Sequence, residues 1–330
     1  MKDIDFVILW VDGSDPAWRA EFDGARREAG RNADSSAIRY RDWDNLRYWF
    51  RGVERYASWV RRIHFVTWGH VPEWLDTSNP KLNVVRHSDF IPAEYLPTFN
   101  SNAIELNLWR IEGLAGQFVL FNDDMFLVRE CRPDDFFRDG LPCDMARLSV
   151  VQPSSVGHII YNNLELVNAT YDKRTAVRSN PGRWFSPKYG IGNLLKTLTL
   201  MPWSMFTGIW DSHQPQPHLT DDFRRAWEMW GERIDATSRS RFRELTDVSH
   251  WLVRYARIAE GRFVPRDLRD CRLMTLADST IDDVCRDVAE GRWRMVCLND
   301  SEDIADFASM RERLKRAFDN RLPQKSGYEK

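Results

Sequence analysis

Two adjacent aspartates stand directly after a short apolar segment in the first half of the chain. The segment 118–121 reads FVLF, and Asn122, Asp123 and Asp124 follow it. Carboxylates beside a buried strand are unfavourable unless they are solvated, hydrogen-bonded or neutralised. Mg²⁺ favours a few carboxylates together with waters and phosphate oxygens. The triplet therefore predicts a site for Mg²⁺ or Mn²⁺ that holds a diphosphate, with a turn of capping aspartates as the alternative.

Two other polar loops also follow apolar segments, one after residues 5–11 and one after residues 295–298. Their polar residues include Asp12, Gly13, Asp15, Asn299 and Asp300. In open α/β sheets, ligands bind beyond the C-terminal ends of the strands. If these segments are strands of one sheet, we expect the loops to face one ligand. An ordinary turn is the alternative for the second Asn-Asp pair.

Histidine and arginine side chains supply candidates for proton transfer and phosphate binding. His218 precedes a predicted helix and is the candidate base, because histidine can take or give a proton near neutral pH. His213 is nearby and equally eligible, and a structural role is the alternative for both. Arginine forks match phosphate oxygens, although most arginines are simply solvated. The arginines considered for phosphate binding are Arg39, Arg41, Arg47, Arg241 and Arg243.

The elements that would position these residues alternate between strands and helices. Apolar segments predict strands at 5–11, 63–67, 82–85 and 118–121. Helices are predicted from Pro16 to about Ala29, from a cap at Asp42 or Asp44 through Tyr56, and over 102–114 after a cap at Ser101. This alternation predicts an α/β fold with a mainly parallel sheet and helices on both faces.

The predicted organisation is one α/β core with a helical insertion. Residues 1–154 form the first part of the core, residues 155–290 the insertion that completes the active site, and residues 291–330 the return to the core. Within the insertion, helices are predicted at 162–171, 190–199, 220–234, 249–259 and 281–290, with a polar loop at 172–187. The strand at 295–298 is expected to join the sheet that contains 118–121, and a last helix covers about 304–319.

Composition narrows the class of protein. Basic and acidic side chains number 47 and 49, so bulk charge gives no reason to expect nucleic acid or an anionic membrane as a partner. No stretch approaches the roughly 20 apolar residues of a membrane helix. The first apolar run is too short and acidic for a signal peptide, and we expect a soluble cytoplasmic protein whose oligomeric state is left open. Five cysteines without a CxxC spacing favour reduced thiols over a zinc site.

Four blocks of the chain, taken in order, carry long and specific patterns. The first segment is DFVILWVDGSDP. The second comprises RDWDNLRYWFRGVERYASWVRRIHFVTWGHVPEWL and HSDFIPAEYLPTFNSNAIELNLWRIEGLAGQFVLFNDDMFL. The third is the stretch from QPHLTDDF to DVSHWLVRYA, and the fourth is VCLNDSED with RLPQKSGYE. Together these blocks resemble the Stealth family of bacterial capsular polysaccharide phosphotransferases, which are akin to the catalytic core of the animal N-acetylglucosamine-1-phosphotransferase.

The resemblance implies a nucleotide-sugar-transferase-like core and a divalent metal. The implied activity is transfer of a hexose 1-phosphate, in the first place N-acetylglucosamine 1-phosphate, from a UDP-sugar to a glycan hydroxyl, with release of UMP. A metal-dependent glycosyltransferase that releases UDP is the alternative enzyme, and a nucleotide-sugar-binding or scaffold protein is the alternative without catalysis. Recognition of protein acceptors is not implied, because the chain lacks the inserted modules and membrane anchors of the animal enzyme.

Residue roles follow from the matched motifs and from the loops described above. The expected metal ligands are Asp123, Asp124 and Asp300. The residues expected to take part in catalysis are His218, Arg243 and Asp124. The residues expected to bind substrate are Asp12, Gly13, Asp15, Arg41, Arg47, Asn122 and Asn299.

Overall fold

The computed structural model describes residues 3–30, 41–154 and 156–330. The strands of this part, in chain order, are β1 (Ile4–Leu9), β2 (Ile63–Thr67), β3 (Leu82–Arg86), β4 (Gln117–Phe121), β5 (Met125–Leu127), β6 (Phe137–Arg138), β7 (Leu141–Asp144), β8 (Gln216–Leu219), β9 (Val264–Pro265), β10 (Cys271–Thr275) and β11 (Met295–Asn299). The helices are α1 (Pro16–Glu28), α2 (Leu46–Tyr56), α3 (His87–Phe90), α4 (Ser101–Asn107), α5 (Pro133–Phe136), α6 (Gly157–Thr170), α7 (Lys173–Ser179), α8 (Pro181–Trp184), α9 (Ile191–Leu200), α10 (Thr220–Arg239), α11 (Trp251–Ala259), α12 (Ile281–Glu290) and α13 (Phe307–Arg321).

The largest sheet has five strands in the order β3-β2-β1-β4-β8. The first four are parallel, and β8 joins the edge antiparallel to β4. Along β1, Phe6 and Ile8 belong to one core cluster and Val7 to another, because successive side chains point to opposite faces. Helix α2 packs on the first face and α4 and α10 on the second. The predicted α/β class, with a mainly parallel sheet covered on both faces, is confirmed; the likeness to nucleotide-sugar transferases stays a prediction.

Residues 295–298 lie outside this sheet, so the prediction that they join the strand at 118–121 is wrong. Strand β11 pairs in parallel with β10 and antiparallel with β5, and a third small sheet holds β6, β7 and β9. The edge of β4 is already occupied by β8, while the chain reverses after β4 into β5 and offers β11 a different partner. The loop after β11 nevertheless lies near the end of β4, because the backbone N–H of Leu298 donates to the Asp124 carbonyl (2.8 Å).

The starts of the first two helices are set by different caps. Asp15 caps α1 by accepting a hydrogen bond from the backbone N–H of Trp18, as expected for an aspartate before a proline. Helix α2 begins directly after Asn45, so the caps predicted at Asp42 and Asp44 are wrong. Asp44 has a φ of +54°, which places it in a tight turn before the helix.

The loop predicted at 172–187 contains α7 and α8 instead. Asp172 caps α7 by accepting a hydrogen bond from the backbone N–H of Thr175 (2.7 Å), and Ala176 and Val177 are buried. Polar composition alone concealed this helix, because a short helix needs only one buried turn and a cap to be stabilised by tertiary packing.

Helix α4 is shorter than the predicted helix at 102–114. It ends at Asn107 and continues as a 3₁₀ turn, and its cap is Asn100 rather than Ser101. The other helices predicted within 155–290 are present with bounds shifted by a few residues. Within the described ranges, no helix combines the length and apolar character that crossing a membrane requires.

Candidate active site

The C-terminal ends of β1 and β4 lie side by side at one edge of the largest sheet. Ile8 is in register with Phe121, so the loops at 10–15 and 122–124 leave the sheet next to each other. The prediction that these two loops share one edge is confirmed. Since ligands bind at this edge of open α/β sheets, it is the place to look for chemistry.

The polar residues of the first loop build the loop itself. Asp12 Oδ1 accepts hydrogen bonds from the backbone N–H (2.8 Å) and the hydroxyl (2.6 Å) of Ser14, and Asp15 caps α1. Gly13 is buried between them. These contacts hold the loop in the form that leads into α1, and substrate binding by the three residues stays a prediction.

Asp124 is a half-buried carboxylate with one unused oxygen. The backbone carbonyl of Asn122 accepts a hydrogen bond from the backbone N–H of Met125 (3.2 Å), which closes the turn between β4 and β5. Asp124 Oδ2 accepts from the Cys297 thiol (3.2 Å), whereas the buried Oδ1 has no hydrogen-bond partner among the described residues. Burial raises the pKa of Asp124, and the nearby His213 opposes that rise. A buried oxygen of this kind is suited to a cation.

Other carboxylates act electrostatically on Asp123 and on Cys297, the two residues beside Asp124. Asp123 is exposed, yet desolvation by the surrounding protein, followed by repulsion from Asp124, raises the pKa of Asp123 to about 7. Asp42 adds to the same repulsion, and the charge of Asp211 acts with those of Asp123 and Asp124 on Cys297. We call Asp42, Asp123, Asp124 and Asp211 the acidic cluster.

His213 faces the acidic cluster. Its Nε2 lies 4.0 Å from Asp124 Oδ2, and its side chain is 39% exposed. Its backbone has a φ of +46°, a left-handed conformation that is uncommon for residues other than glycine, although histidine, asparagine and aspartate adopt it more often than the rest. Asp211 Oδ1 holds this conformation by accepting a hydrogen bond from the His213 backbone N–H (2.8 Å). Strained backbone that is fixed by its surroundings is typical of functional sites.

Asp124, His213 and Cys297 lie close together, and the carboxylate of Asp124 is suited to a hard divalent cation. One donor atom each from Asp124, His213 and Cys297 lie within 4.8 Å of one another. Burial raises the pKa of the Cys297 thiol well above its ordinary value, and Asp124 adds to the rise, so the thiol stays protonated and donates to Asp124. Mg²⁺ and Mn²⁺ prefer carboxylate oxygens to sulfur. The unpartnered Asp124 Oδ1, with Asp123 beside it, fits such an ion.

Asp300 lies in the loop after β11 and has partners for both carboxylate oxygens. Oδ1 accepts from the backbone N–H of Ser301 (2.7 Å) and pairs with Arg41 (3.6 Å), and Oδ2 accepts from the Trp43 indole (3.0 Å). The Arg41 guanidinium also lies over the Phe307 ring, 4.9 Å from its centroid. Asp300 is therefore placed to hold Arg41 and Trp43, and its predicted role as a metal ligand stays untested. Asn299 is exposed beside it.

Two other predicted arginines stand at helix starts. Arg47, in the first turn of α2, lies over the Trp74 ring and 3.5 Å from Asp44. Arg243 is exposed and donates to the Ser101 hydroxyl (2.8 Å) at the start of α4. Since α2 precedes β2 and α4 precedes β4, both helices begin on the side of the sheet where the parallel strands end. Arg39 lies outside the described residues.

His218 is not brought to this edge. It lies in β8 opposite Phe118, three residues before the end of β4, or roughly 10 Å along the strand. The side chain is fully buried against Phe118, Phe223 and His250. Burial, with Arg257 as the next contribution, holds the pKa of His218 well below its ordinary value. Catalysis by His218 stays a prediction, and the geometry favours His213.

Three residues of this site were not predicted. Asp211 and Asp42 are ordinary polar residues in the sequence, and Cys297 stands within an apolar strand. The pattern Asp211-x-His213 carries a usable signal, because an aspartate often accepts a hydrogen bond from the backbone two residues on. Cys297 has no comparable signal, since only strand pairing places it beside Asp124.

The chain is similar to known proteins over its whole length. The model of Stealth protein conserved region 1 matches residues 2–29, and that of conserved region 2 matches residues 39–143. A capsular polysaccharide phosphotransferase, WcwK, of Streptococcus pneumoniae is 37% identical over 100% of this chain and 99% of its own. An exopolysaccharide phosphotransferase, cps2G, of Lactiplantibacillus plantarum is 38% identical over 99% and 96%. A receptor polysaccharide phosphotransferase, WefC, of Streptococcus oralis is 36% identical over 100% of both chains.

Proposed function

The chain belongs to the Stealth family and is a transferase of phosphate-containing groups, and on that premise we propose that it moves a hexose 1-phosphate from a UDP-sugar to a hydroxyl of a glycan acceptor, with release of UMP. N-acetylglucosamine 1-phosphate is the group proposed first. The names of relatives matched along their whole length support a place in capsular or cell-surface polysaccharide synthesis.

The observation that carries the proposal is the juxtaposition of Asp124 and His213 at the C-terminal edge of the parallel sheet. Asp124 supplies a buried carboxylate oxygen that has no hydrogen-bond partner in the described part of the chain, and His213 supplies a partly exposed imidazole on left-handed backbone. Phosphoryl transfer needs these two elements, namely a cation site for the phosphate charge and a base for the attacking hydroxyl.

In the proposed reaction, His213 accepts the proton of the acceptor hydroxyl. The hydroxyl oxygen then forms a bond to the phosphorus next to the sugar. The bond from that phosphorus to the oxygen that bridges the two phosphates breaks, and UMP leaves with the bridging oxygen. The bond between the sugar and its own oxygen stays intact. Catalysis rests on positioning and on charge stabilisation, to which Arg41, Arg243 and a cation held by the acidic cluster would contribute.

A divalent cation would be held by Asp124 together with Asp123. When bound, Mg²⁺ or Mn²⁺ would offset the negative charge of the diphosphate and of the departing UMP. Without it, the acidic cluster would repel the donor. Asp211 has a different role from Asp123 and Asp124, because its carboxylate fixes the backbone at His213.

Arg41 and Arg243 are expected to contact the donor phosphates. Arg41→Ala should raise the KM for the UDP-sugar by about tenfold or more, since a charge-assisted hydrogen bond is lost. Arg41→Lys and Arg243→Lys keep the charge but lose the fork, so they should also weaken transfer. Steady-state kinetics with varied donor give these values, and Arg224→Lys on the exposed face of α10 is the matched control. If KM and kcat are unchanged in both Arg41→Ala and Arg243→Ala, these arginines do not contact the donor.

The alternative is a metal-dependent glycosyltransferase that releases UDP. The acidic cluster is compatible with it, because a cation on the diphosphate assists either leaving group. The names of the relatives favour phosphotransfer. The same names disfavour a scaffold protein without activity.

The test is incubation of the purified protein with a panel of UDP-sugars, a glycan acceptor and Mg²⁺ or Mn²⁺. Released nucleotides are identified by mass spectrometry. UMP that appears only with acceptor and cation supports the proposal. UDP supports the glycosyltransferase, and a bound but uncleaved donor supports a binding protein.

A further inference from the structure

Helix α9 turns three of its apolar side chains away from the protein. Ile191, Leu195 and Leu198 are 79%, 54% and 50% exposed. Their spacing of four and three residues places them on one face of the helix. An exposed apolar stripe on a folded protein marks an interaction surface.

The opposite face of α9 is polar and anchors the helix. Asn193 accepts a hydrogen bond from the Arg147 guanidinium (2.9 Å) and donates to the Tyr189 carbonyl (2.8 Å). Thr197 is buried, and its hydroxyl accepts from the backbone N–H of Leu148 (3.3 Å). Polar contacts therefore help to anchor the inward face, while two of the four leucines of α9 are exposed on the outward face.

The exposed apolar surface continues past the end of the helix. Trp203 and Met205, in the turn that follows α9, are 55% and 56% exposed. Tryptophan is enriched at membrane–water interfaces, because its ring is apolar and its N–H is polar. We call Ile191, Leu195, Leu198, Trp203 and Met205 the α9 surface.

The segment that carries the α9 surface is strongly basic. Between Asp172 and Asp211 the chain has no acidic residue. Its basic residues are Lys173, Arg174, Arg178, Arg183, Lys188 and Lys196. Arg174, Arg178, Lys188 and Lys196 are exposed, and the described part of the chain gives none of these four an acidic partner within salt-bridge distance. The net charge of −2 for the whole chain conceals this local excess of positive charge.

We propose that the α9 surface binds a bilayer that contains anionic phospholipids. The apolar side chains enter the interface between headgroups and acyl chains, and the exposed lysines and arginines contact the headgroup phosphates. The charge argues against a second copy of this chain as the occupant, because a symmetric contact would place like-charged segments against each other. This binding is separate from catalysis and does not rest on the proposed function.

The test is flotation of the full chain with vesicles of phosphatidylcholine alone or mixed in equal parts with phosphatidylglycerol. We expect binding to the mixed vesicles that weakens as salt is raised. Ile191→Ser/Leu195→Ser/Leu198→Ser should lower the partition coefficient by about tenfold or more. Lys188→Gln/Lys196→Gln should lower it by about 25-fold, since each basic residue near an anionic surface contributes about fivefold.

Leu245→Ser/Leu273→Ser is the matched control, because both leucines are exposed and lie outside the α9 segment. It should bind as the wild type does. Circular dichroism should show that the triple-serine variant keeps its fold, since the replaced side chains are at least half exposed. The proposal is overturned if the wild type fails to bind mixed vesicles, or if the folded triple-serine variant binds equally well. It is also overturned if that variant converts a dimer to a monomer in sedimentation, because the surface is then a contact between copies.

Discussion

Asp124→Asn is expected to lower turnover by about 10³-fold at saturating Mg²⁺, because charge stabilisation in phosphoryl transfer is worth several kcal/mol. The substitution keeps the size of the side chain and an oxygen that can accept from the Cys297 thiol. Only the negative charge beside the proposed cation is lost. Turnover in steady-state kinetics, with donor and cation both saturating, gives the effect directly.

The stability of this variant separates a metal ligand from a structural turn. Burial raises the pKa of Asp124 above its unfolded value, so its ionised form opposes folding at neutral pH. Removing that charge should leave the Tm in EDTA unchanged or slightly higher. Asp123→Asn should have a weaker effect on turnover, and Asp221→Asn, on the exposed start of α10, should have none. Turnover near that of the wild type rules out the metal role, and a collapsed Tm shows that Asp124 is structural.

His213→Asn is expected to lower kcat by about 10²–10⁴-fold, the usual contribution of a positioned base, while donor affinity changes little. Asparagine tolerates the left-handed backbone that His213 adopts, so the loop held by Asp211 should keep its form. Initial rates measured at varied donor concentration separate kcat from KM. The Tm of the variant should remain that of the wild type.

His218→Leu is the matched comparison, because it replaces the other histidine of the same segment. His218 is fully buried, and neither ring nitrogen has a hydrogen-bond partner among the described residues. We expect the variant to keep most of its kcat, with any change appearing in stability. If His218→Leu abolishes transfer in a folded protein and His213→Asn does not, the base is His218 after all.

The parallel part of the sheet could be predicted because its strands carry their signal locally. β1 and β4 are short apolar runs followed by turn residues, and helices with caps separate the strands. Strand β8 carried no such signal, because Gln216, Pro217 and His218 do not form an apolar run. Strand β8 occupies the edge of β4, and β11 pairs in another sheet. This choice of partners is decided by the tertiary fold and not by the local sequence.

The candidate site could be predicted in part for the same reason. Asp123 and Asp124 follow a strand directly, so their position at the sheet edge follows from the strand itself. His213 itself has left-handed backbone, which Asp211 holds by a hydrogen bond, and its position depends on this turn. His218, five residues later, is buried in the core. The order of residues therefore does not decide which of the two histidines lies near Asp124.

The fate of the phosphorus next to the sugar is the most direct test of the proposed reaction. A UDP-sugar labelled with ³²P at that phosphate is incubated with the enzyme, the cation and a glycan acceptor, and the products are separated by chromatography. We expect the label in the acceptor as a phosphodiester and unlabelled UMP as the nucleotide. Label recovered in UDP, with an acceptor that carries sugar but no phosphorus, would contradict sugar-phosphate transfer and establish the glycosyltransferase in its place.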